Sequence, residues 1–323
     1  MTDILKTKVA ILGTTGYIGR ALLHKLQQDS GVEVVGYSRD AEAASKTLAG
    51  FQIAFSDIRG YDDFLDREYD VVINATGVGS PRKFDENPRA VFLVTEKMDD
   101  LLLSYLHKHP ECRAFNLSSG SVYGRSAVRP IQPGTPATFE VSHLRPGDFY
   151  SLAKLYSEAK HRSVPERHIV DLRVFAFISR FLDLEESFFI AEVAKCLKEG
   201  TVFKTKPEDM MRDYATAEDL WDIIGFLMTL PPQNAAFDVG SARPVGKFEL
   251  LKLLSQKFGL QYETGQLEGS SPTGEKNAYY SESEALTDLG YVPERTSLQN
   301  IERELSAILL ATSQNAPTAP PRG

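Results

Sequence analysis

The 323-residue chain is poor in cysteine, tryptophan, basic charge and long apolar runs, and each shortage excludes something. Its two cysteines, Cys112 and Cys196, are far apart and have no Cys-x-x-Cys spacing. That excludes a disulfide scaffold and a cysteine zinc site, and leaves two buried thiols as the expectation. Lys and Arg number 36 against 44 Asp and Glu, a net charge of -8, so no basic field draws in nucleic acid. No stretch approaches 18 consecutive apolar residues, so no membrane span is expected. Met1-Thr2-Asp3-Ile4 lacks the basic-then-apolar pattern of a secretory signal, and a cytoplasmic location is expected. Among six histidines only His107 and His109 are close, and an i, i+2 pair does not face one way on a helix. No metal site is therefore expected. The single Trp221 lies in an amphipathic stretch and reads as core or interface packing.

What is present is an ordinary globular composition, 42% hydrophobic and 25% charged. The length suggests two domains, or one large α/β unit with an elaboration. Short apolar runs at 8–12, 32–37, 69–75, 114–117 and 169–174 read as strands, and helical spacing at 18–27 and 91–107 lies between them. This order predicts a parallel sheet with helices on both faces. Farther on, Thr216 with Asp219 predicts a capped helix, 236–239 a strand, and 247–258 and 298–310 amphipathic helices. Residues 125–149 are rich in Pro and Gly and read as an active-site loop; the Pro-bearing tail from 312 reads as disordered.

Gly13-Thr14-Thr15-Gly16-Tyr17-Ile18-Gly19 lies between the first strand and first helix. Glycines at i, i+3 and i+6 allow a tight turn, close approach to a pyrophosphate and close helix–strand packing, which predicts dinucleotide binding. The alternative is an ordinary glycine turn. An acid at the end of the second strand would bond a ribose 2′-hydroxyl. Ser38 stands there, followed by Arg39, and both can bind a 2′-phosphate, so NADP is favoured over NAD. Asp40 takes the ribose if the strand ends later. Asp57 and Ile58 follow a short strand and could hold the adenine edge; the alternative is a surface aspartate.

Ser118-Ser119-Gly120-Ser121 follows the strand at 114–117, where ligand crevices of such sheets lie. Tyr150 and Lys154, at i and i+4, share one helix face. A nearby ammonium lowers a phenol's pKa, so Tyr150 could exchange a proton near neutral pH while Ser119 polarises a carbonyl.

These residues resemble the extended short-chain dehydrogenase/reductases, the NAD(P)-dependent sugar-nucleotide epimerase/dehydratase family. The resemblance covers most of residues 6–305. It is carried by GTTGYIG (13–19), SDIRG (56–60), DVVINATG (70–77), NLSSGSVYG (116–124), YSLAK (150–154), MRDYATAEDL (211–220), FDVGS (237–241) and LGYVPERTSLQNI (289–301). It implies a Rossmann-type doubly wound parallel sheet with a smaller C-terminal substrate-binding domain. The expected boundaries are 1–176 plus about 213–235 for the sheet domain, and 177–212 plus 236–311 for the smaller one. Tyr150 becomes the acid/base, Lys154 its electrostatic partner and Ser119 the carbonyl ligand. Gly13, Thr15, Gly16, Tyr17, Ile18, Gly19, Ser38, Arg39, Asp57, Ile58, Ala75, Thr76 and Gly77 join Tyr150 and Lys154 as cofactor contacts. Ser119, Ser121 and Arg212 are the substrate contacts, Arg212 gripping a nucleotide diphosphate; its alternative is a surface salt bridge with Asp213 or Glu218.

The chain departs from the family in places. Family dehydratases carry an acidic pair after the catalytic Ser/Thr, where Gly120-Ser121 stands here, which disfavours dehydration. No Asn-Pro and glycine follow the sixth strand, Thr95 replaces a frequent asparagine, and near 272 the second phosphate-binding arginine is absent, with Lys276 a substitute or a solvated lysine. The leading expectation is an NADPH-dependent reductase of a keto-sugar nucleotide, a 4-keto-6-deoxy sugar. The alternatives are a sugar-nucleotide epimerase, a reductase of a small ketone, and a non-catalytic nucleotide sensor. A homodimer through helices at 91–108 and 150–163 is also expected.

Overall fold

The structure, a computed structural model, describes residues 6–79, 87–265 and 277–313. Seven parallel strands form the main sheet in the order β11-β6-β5-β4-β1-β2-β3. They are β1 (Thr7–Leu12), β2 (Val32–Tyr37), β3 (Ile58–Arg59), β4 (Val71–Asn74), β5 (Arg113–Ser119), β6 (Ile169–Val174) and β11 (Ala235–Val239). The order reverses between β1 and β4, and in such sheets the ligand crevice opens beyond the strand ends at that point. Gly13 and Ala75 are the residues that leave the sheet there.

One face is covered by α1 (Tyr17–Leu26), α2 (Ala41–Gly50) and α6 (Ala217–Thr229). Leu22, Leu23 and Leu26 of α1 are fully buried. Each such burial is worth about 1.5–3 kcal/mol, against a few tenths for helix propensity, so packing and not propensity holds this ten-residue helix. The other face is covered by α3 (Pro88–Lys108) and α4 (Pro146–Arg162). There Met98, Leu102, Tyr105 and Leu106 pack on Ala10, Val72, Ala114 and Ile169.

A second core lies among α5 (Phe189–Glu199), α7 (Lys247–Phe258) and α9 (Ser297–Ser313), around Ile190, Leu251, Leu254 and Ile301. Short ladders accompany it. β7 (Ala176–Phe177) pairs with β10 (Tyr214–Ala215), and β8 (Phe203–Thr205) with β13 (Tyr262–Thr264). β9 (Met211–Arg212) runs between β12 (Val245–Gly246) and β14 (Ala278–Tyr279). A one-turn helix, α8 (Ala285–Asp288), precedes α9.

The predicted strands and helices occur within a few residues of their expected ends, and the Thr216–Asp219 capping box forms in both directions. Two boundaries shift. β11 pairs with β6 over its whole length, so the segment from 236 begins in the main sheet and not in the smaller unit. α9 continues to Ser313, and the rest of the tail lies outside the described residues. Cys112 is buried, whereas Cys196 is half-buried. Trp221 is half-buried on α6 and donates to Asp29 Oδ2 at 3.3 Å. No helix among the described residues is long and apolar enough to cross a membrane.

Candidate active site

β1 passes straight into the glycine turn, and α1 begins at Tyr17. A Cβ on Gly19 would run into the Gly13 carbonyl, so the close crossing of helix and loop requires glycine there. α1 has no side-chain cap and no acidic residue in its first turn. Its leading N–H groups and positive dipole end thus remain open to an anion, which fits a pyrophosphate. Arg20 Nη1 ties the turn by donating to Thr15 O at 3.1 Å. Tyr17 and Ile18 contribute their backbone to this turn; the Tyr17 hydroxyl points elsewhere and accepts from Ser179 N at 2.8 Å. Across the crevice, Ala75 N donates to Leu12 O at 3.0 Å, and Thr76 and Gly77 follow.

At the end of β2, Ser38 is half-buried and its N–H donates to Arg59 O at 3.0 Å. Arg39 is exposed and has no ion pair among the described residues. Asp40 Oδ1 caps α2, accepting from Ala43 N at 2.9 Å, so the alternative of Asp40 as a ribose acid meets a carboxylate already engaged. Asp57 does not follow a strand, as expected from sequence; it precedes β3, because Gly36 pairs with Ile58 and Tyr37 with Arg59. Its carboxylate is 2.7 Å from Arg59 Nε.

Ser119 closes β5, and its Oγ accepts from Ser121 N at 3.2 Å. The Ser121 hydroxyl is buried without a hydrogen-bond partner among the described residues. Tyr150 and Lys154 lie one turn apart on α4, and the Tyr150 hydroxyl hydrogen-bonds Ser119. Burial raises the Tyr150 pKa above its ordinary value and the Ser119 bond opposes that. This corrects the expectation of an ammonium lowering it. Lys154 Nζ donates to Leu117 O at 2.7 Å and Thr76 O at 3.5 Å. Burial lowers the Lys154 pKa, with Asp99, Asp171 and Glu158 opposing.

From the smaller unit comes Arg212, on β9, its pKa lowered by burial. Its Nη1 donates to Met211 O at 2.8 Å, and it makes no ion pair among the described residues. The salt-bridge alternative does not form. Asp213 instead accepts from Ser241 N at 3.0 Å and Ser297 Oγ at 2.7 Å, and Glu218 pairs with Arg303 at 2.6 Å. A half-buried guanidinium without a carboxylate suits an anionic ligand.

Sequence reasoning missed Tyr279. Its hydroxyl is 3.5 Å from Ser119 Oγ, and its ring lies 6.0 Å from the Arg212 guanidinium. The available signal was an aromatic pair, Tyr279-Tyr280, in a polar stretch. Missed too was the cluster behind Ser119. Ser118 Oγ donates to Glu158 at 2.5 Å, Glu158 pairs with Arg173 at 2.6 Å, and Asp238 accepts from Tyr123 at 3.0 Å and Ser281 at 2.6 Å. Thr95 spends its hydroxyl on Val91 O at 2.8 Å. Lys276 lies outside the described residues. Among the described residues no group of three or more His, Cys, Asp or Glu could hold a metal ion.

Comparison with known proteins follows the same outline. A dTDP-6-deoxy-L-talose 4-dehydrogenase (NAD(P)(+)) from Kitasatospora kifunensis is 24% identical over 315 residues, covering 92% of this chain and 94% of that protein. The solved UDP-glucose 4-epimerase of Stenotrophomonas maltophila, with bound NAD and formylated UDP-arabinopyranose, superposes with a TM-score of 0.76 at 16% identity. The match covers 96% of this chain and all of that one. The Thermotoga maritima UDP-glucose 4-epimerase, solved with UDP-glucose, gives a TM-score of 0.75 at 16% identity and the same 96% and 100% coverage. The profile of the NAD dependent epimerase/dehydratase family matches residues 9–240. By that match the chain belongs to the NAD dependent epimerase/dehydratase family and is an NAD(P)-dependent enzyme of the extended short-chain dehydrogenase/reductase type.

Proposed function

We propose that this enzyme is an NADPH-dependent reductase of a keto-sugar nucleotide, a 4-keto-6-deoxy sugar. The observation that carries the reading is the end of β2: Asp40 is engaged as a helix cap, and the exposed Arg39 has no carboxylate among the described residues. No free acid there repels a 2′-phosphate, and Arg39 and Ser38 can bind one. NADP use favours net reduction over a retained, recycled cofactor. The Kitasatospora relative is named for the oxidative direction of a 4-position reaction on a 6-deoxy sugar nucleotide, which is the reverse of this one.

Gly13, Thr15, Gly16, Tyr17, Ile18 and Gly19 hold the pyrophosphate by backbone. Asp57, Ile58 and Ala75–Gly77 line the crevice, and Lys154 reaches the nicotinamide ribose. When bound, the dihydronicotinamide supplies a hydride to the carbonyl carbon. Ser119 donates a hydrogen bond to the carbonyl oxygen, and Tyr150 gives that oxygen its proton. Burial raises the Tyr150 pKa and so keeps the phenol in its donor form. Lys154 has three N–H donors, of which Leu117 O and Thr76 O take two; the third serves the ribose or the tyrosine oxygen. Arg212 and the Ser121 hydroxyl, which has no hydrogen-bond partner among the described residues, serve the nucleotide-sugar end. We further propose that two copies pair through α3 and α4.

The test offers NADPH or NADH with UDP-, dTDP-, GDP- and CDP-linked 4-keto-6-deoxy sugars while nicotinamide absorbance is followed. Rapid loss with NADPH and one sugar supports the reductase. No loss, with an altered sugar on chromatography, would replace it with the epimerase. Tyr150→Phe should lower turnover by about 10²–10⁴-fold and leave NADPH affinity unchanged; a fully active variant would remove Tyr150 from the mechanism.

A further inference from the structure

Parallel sheets covered on both faces are ordinarily lined with aliphatic side chains. Under α3 and α4 this holds for the row Ala10, Val72, Ala114 and Ile169, all fully buried. Two residues nearer the crevice the row changes character. Asn74, Asn116 and Asp171 stand in register across β4, β5 and β6, and are 3%, 1% and 0% exposed. The helix above is polar to match: Lys154, Ser157, Glu158 and His161 form its buried stripe.

The hydrogen bonds of this row run one way. Asn116 Nδ2 donates to Asp171 Oδ1 at 2.7 Å, and Asn74 Nδ2 donates to Asn116 Oδ1 at 3.0 Å. The Asn74 Oδ1 so presented accepts from Thr76 Oγ1 at 2.5 Å and Thr76 N at 3.2 Å. A carboxylate only accepts, so Asp171 decides which way round the Asn116 amide lies, and Asn116 decides Asn74. Asp171 is itself fixed by His161 Nδ1 and Arg162 Nη2, each at 2.9 Å, and His161 Nε2 lies 3.6 Å from Asp99 of α3. Burial would lower the His161 pKa, but the hydrogen bond to Asp171 and the nearby carboxylates of Asp171 and Asp99 outweigh it and push it up to about 9. The ring is therefore charged at neutral pH and Asp171 remains an acceptor. At the far end, Thr76 O faces Lys154 Nζ, which also holds the carbonyl of Leu117, next to Asn116.

We propose that Asp171, Asn116 and Asn74 are positioning residues, a one-way hydrogen-bond row that sets Thr76 at the end of β4 and so fixes the carbonyl against which Lys154 is held. The proposal rests on Lys154 serving the nicotinamide ribose. An aliphatic row would fill the same space without desolvating three polar groups. It would not select the orientation of the peptide and side chain at Thr76.

Two ligands separate this from a merely structural role. NADPH spans the whole crevice, whereas adenosine 2′-phosphate 5′-diphosphate lacks both the nicotinamide and its ribose. Asn116→Leu should weaken NADPH about tenfold, the size of one lost hydrogen bond to a charged group, and leave adenosine 2′-phosphate 5′-diphosphate within about twofold. Lys154→Met should do the same, and the double variant should be no weaker than Lys154→Met alone, because both act through one ammonium. Equal weakening of both ligands, or additive losses, would overturn the proposal. Should Asn116→Leu not fold, Thr76→Val removes the hydroxyl donor at the end of the row without changing its shape; it should lose NADPH selectively while Thr76→Ser keeps it, and equal affinities would overturn the row. An unchanged affinity in Lys154→Met would overturn the role of Lys154 and this proposal together. A loss in Lys154→Met without one in Asn116→Leu would overturn the row alone.

Discussion

Gly120 lies against the ring of Phe175, so closely that a Cβ would run into the ring edge. Phe175 in turn packs with Tyr123, Val122 and Ile131 in a small core beneath the site. This explains in physical terms why no carboxylate follows Ser119: the position has no room for any side chain. Gly120→Asp should therefore bring destabilisation and no gain of dehydration. Overpacking of this kind costs about 1–3 kcal/mol, which for a chain of this size lowers the Tm by about 2–4 °C per kcal/mol. Thermal unfolding measures it, and a variant as stable as the parent would show that the ring yields freely. The same scale explains what sequence could and could not show. Ser119, Tyr150 and Lys154 stand in short local patterns. Tyr279 meets Ser119 across 160 residues, on a two-residue strand that no periodicity announces.

Among the elements, α4 shows how tertiary structure can reverse an ordinary pattern. A helix packed on a sheet usually presents apolar residues at i, i+3, i+4 and i+7. α4 presents Lys154, Ser157, Glu158 and His161 at that spacing, and all are buried. Read locally, such a stripe is a solvated face. It becomes an interior face because β5 and β6 offer Asn116, Ser118, Asp171 and Arg173 opposite it. The apolar strands and the glycine turn were legible because each is fixed by its own residues, whereas the polar interface exists only once three elements meet. Its charge has a thermodynamic signature. The folded pKa of His161 is about 9 against an ordinary 6.5, burial opposing and the hydrogen bond to Asp171 with the nearby carboxylates of Asp171 and Asp99 prevailing. The folded state therefore binds more protons between these values. The stabilisation is fully present below pH 6.5 and is lost as pH rises through 9. Denaturant midpoints of the full chain should fall across that window, and His161→Asn should fall less. Equal slopes in parent and variant would mean that the ring is neutral in the fold.

At the scale of the molecule, the crevice is built from both cores. Ser119, Tyr150 and Lys154 come from the main sheet and α4, whereas Arg212 and Tyr279 come from β9 and β14. Arg20 Nη2 joins the two by donating to Phe181 O at 2.7 Å, and Tyr17 does so through Ser179. On the far side, α3 and α4 leave Phe92, Leu93 and Tyr156 at 38%, 50% and 49% exposure. These stand on two adjacent helices that run in the same direction, Phe92 beside Phe149 and Asp100 bridged to Lys160 at their surface. Scattered single apolar residues on a surface need no explanation, but three large ones on one helix pair are what a helical interface between copies would cover. The proposed homodimer places them at its centre. Leu93→Asp with Tyr156→Asp would put carboxylates there, desolvated and unpaired in the dimer but harmless in a free protomer. Light scattering behind size-exclusion chromatography should therefore give twice the 35.9 kDa chain mass for the parent and the single mass for the double variant. Because both side chains are about half exposed, the protomer's intrinsic stability should stay within about 0.5 kcal/mol. A parent already monomeric at micromolar concentration would dismiss the dimer, and a double variant still dimeric would move the interface to another face.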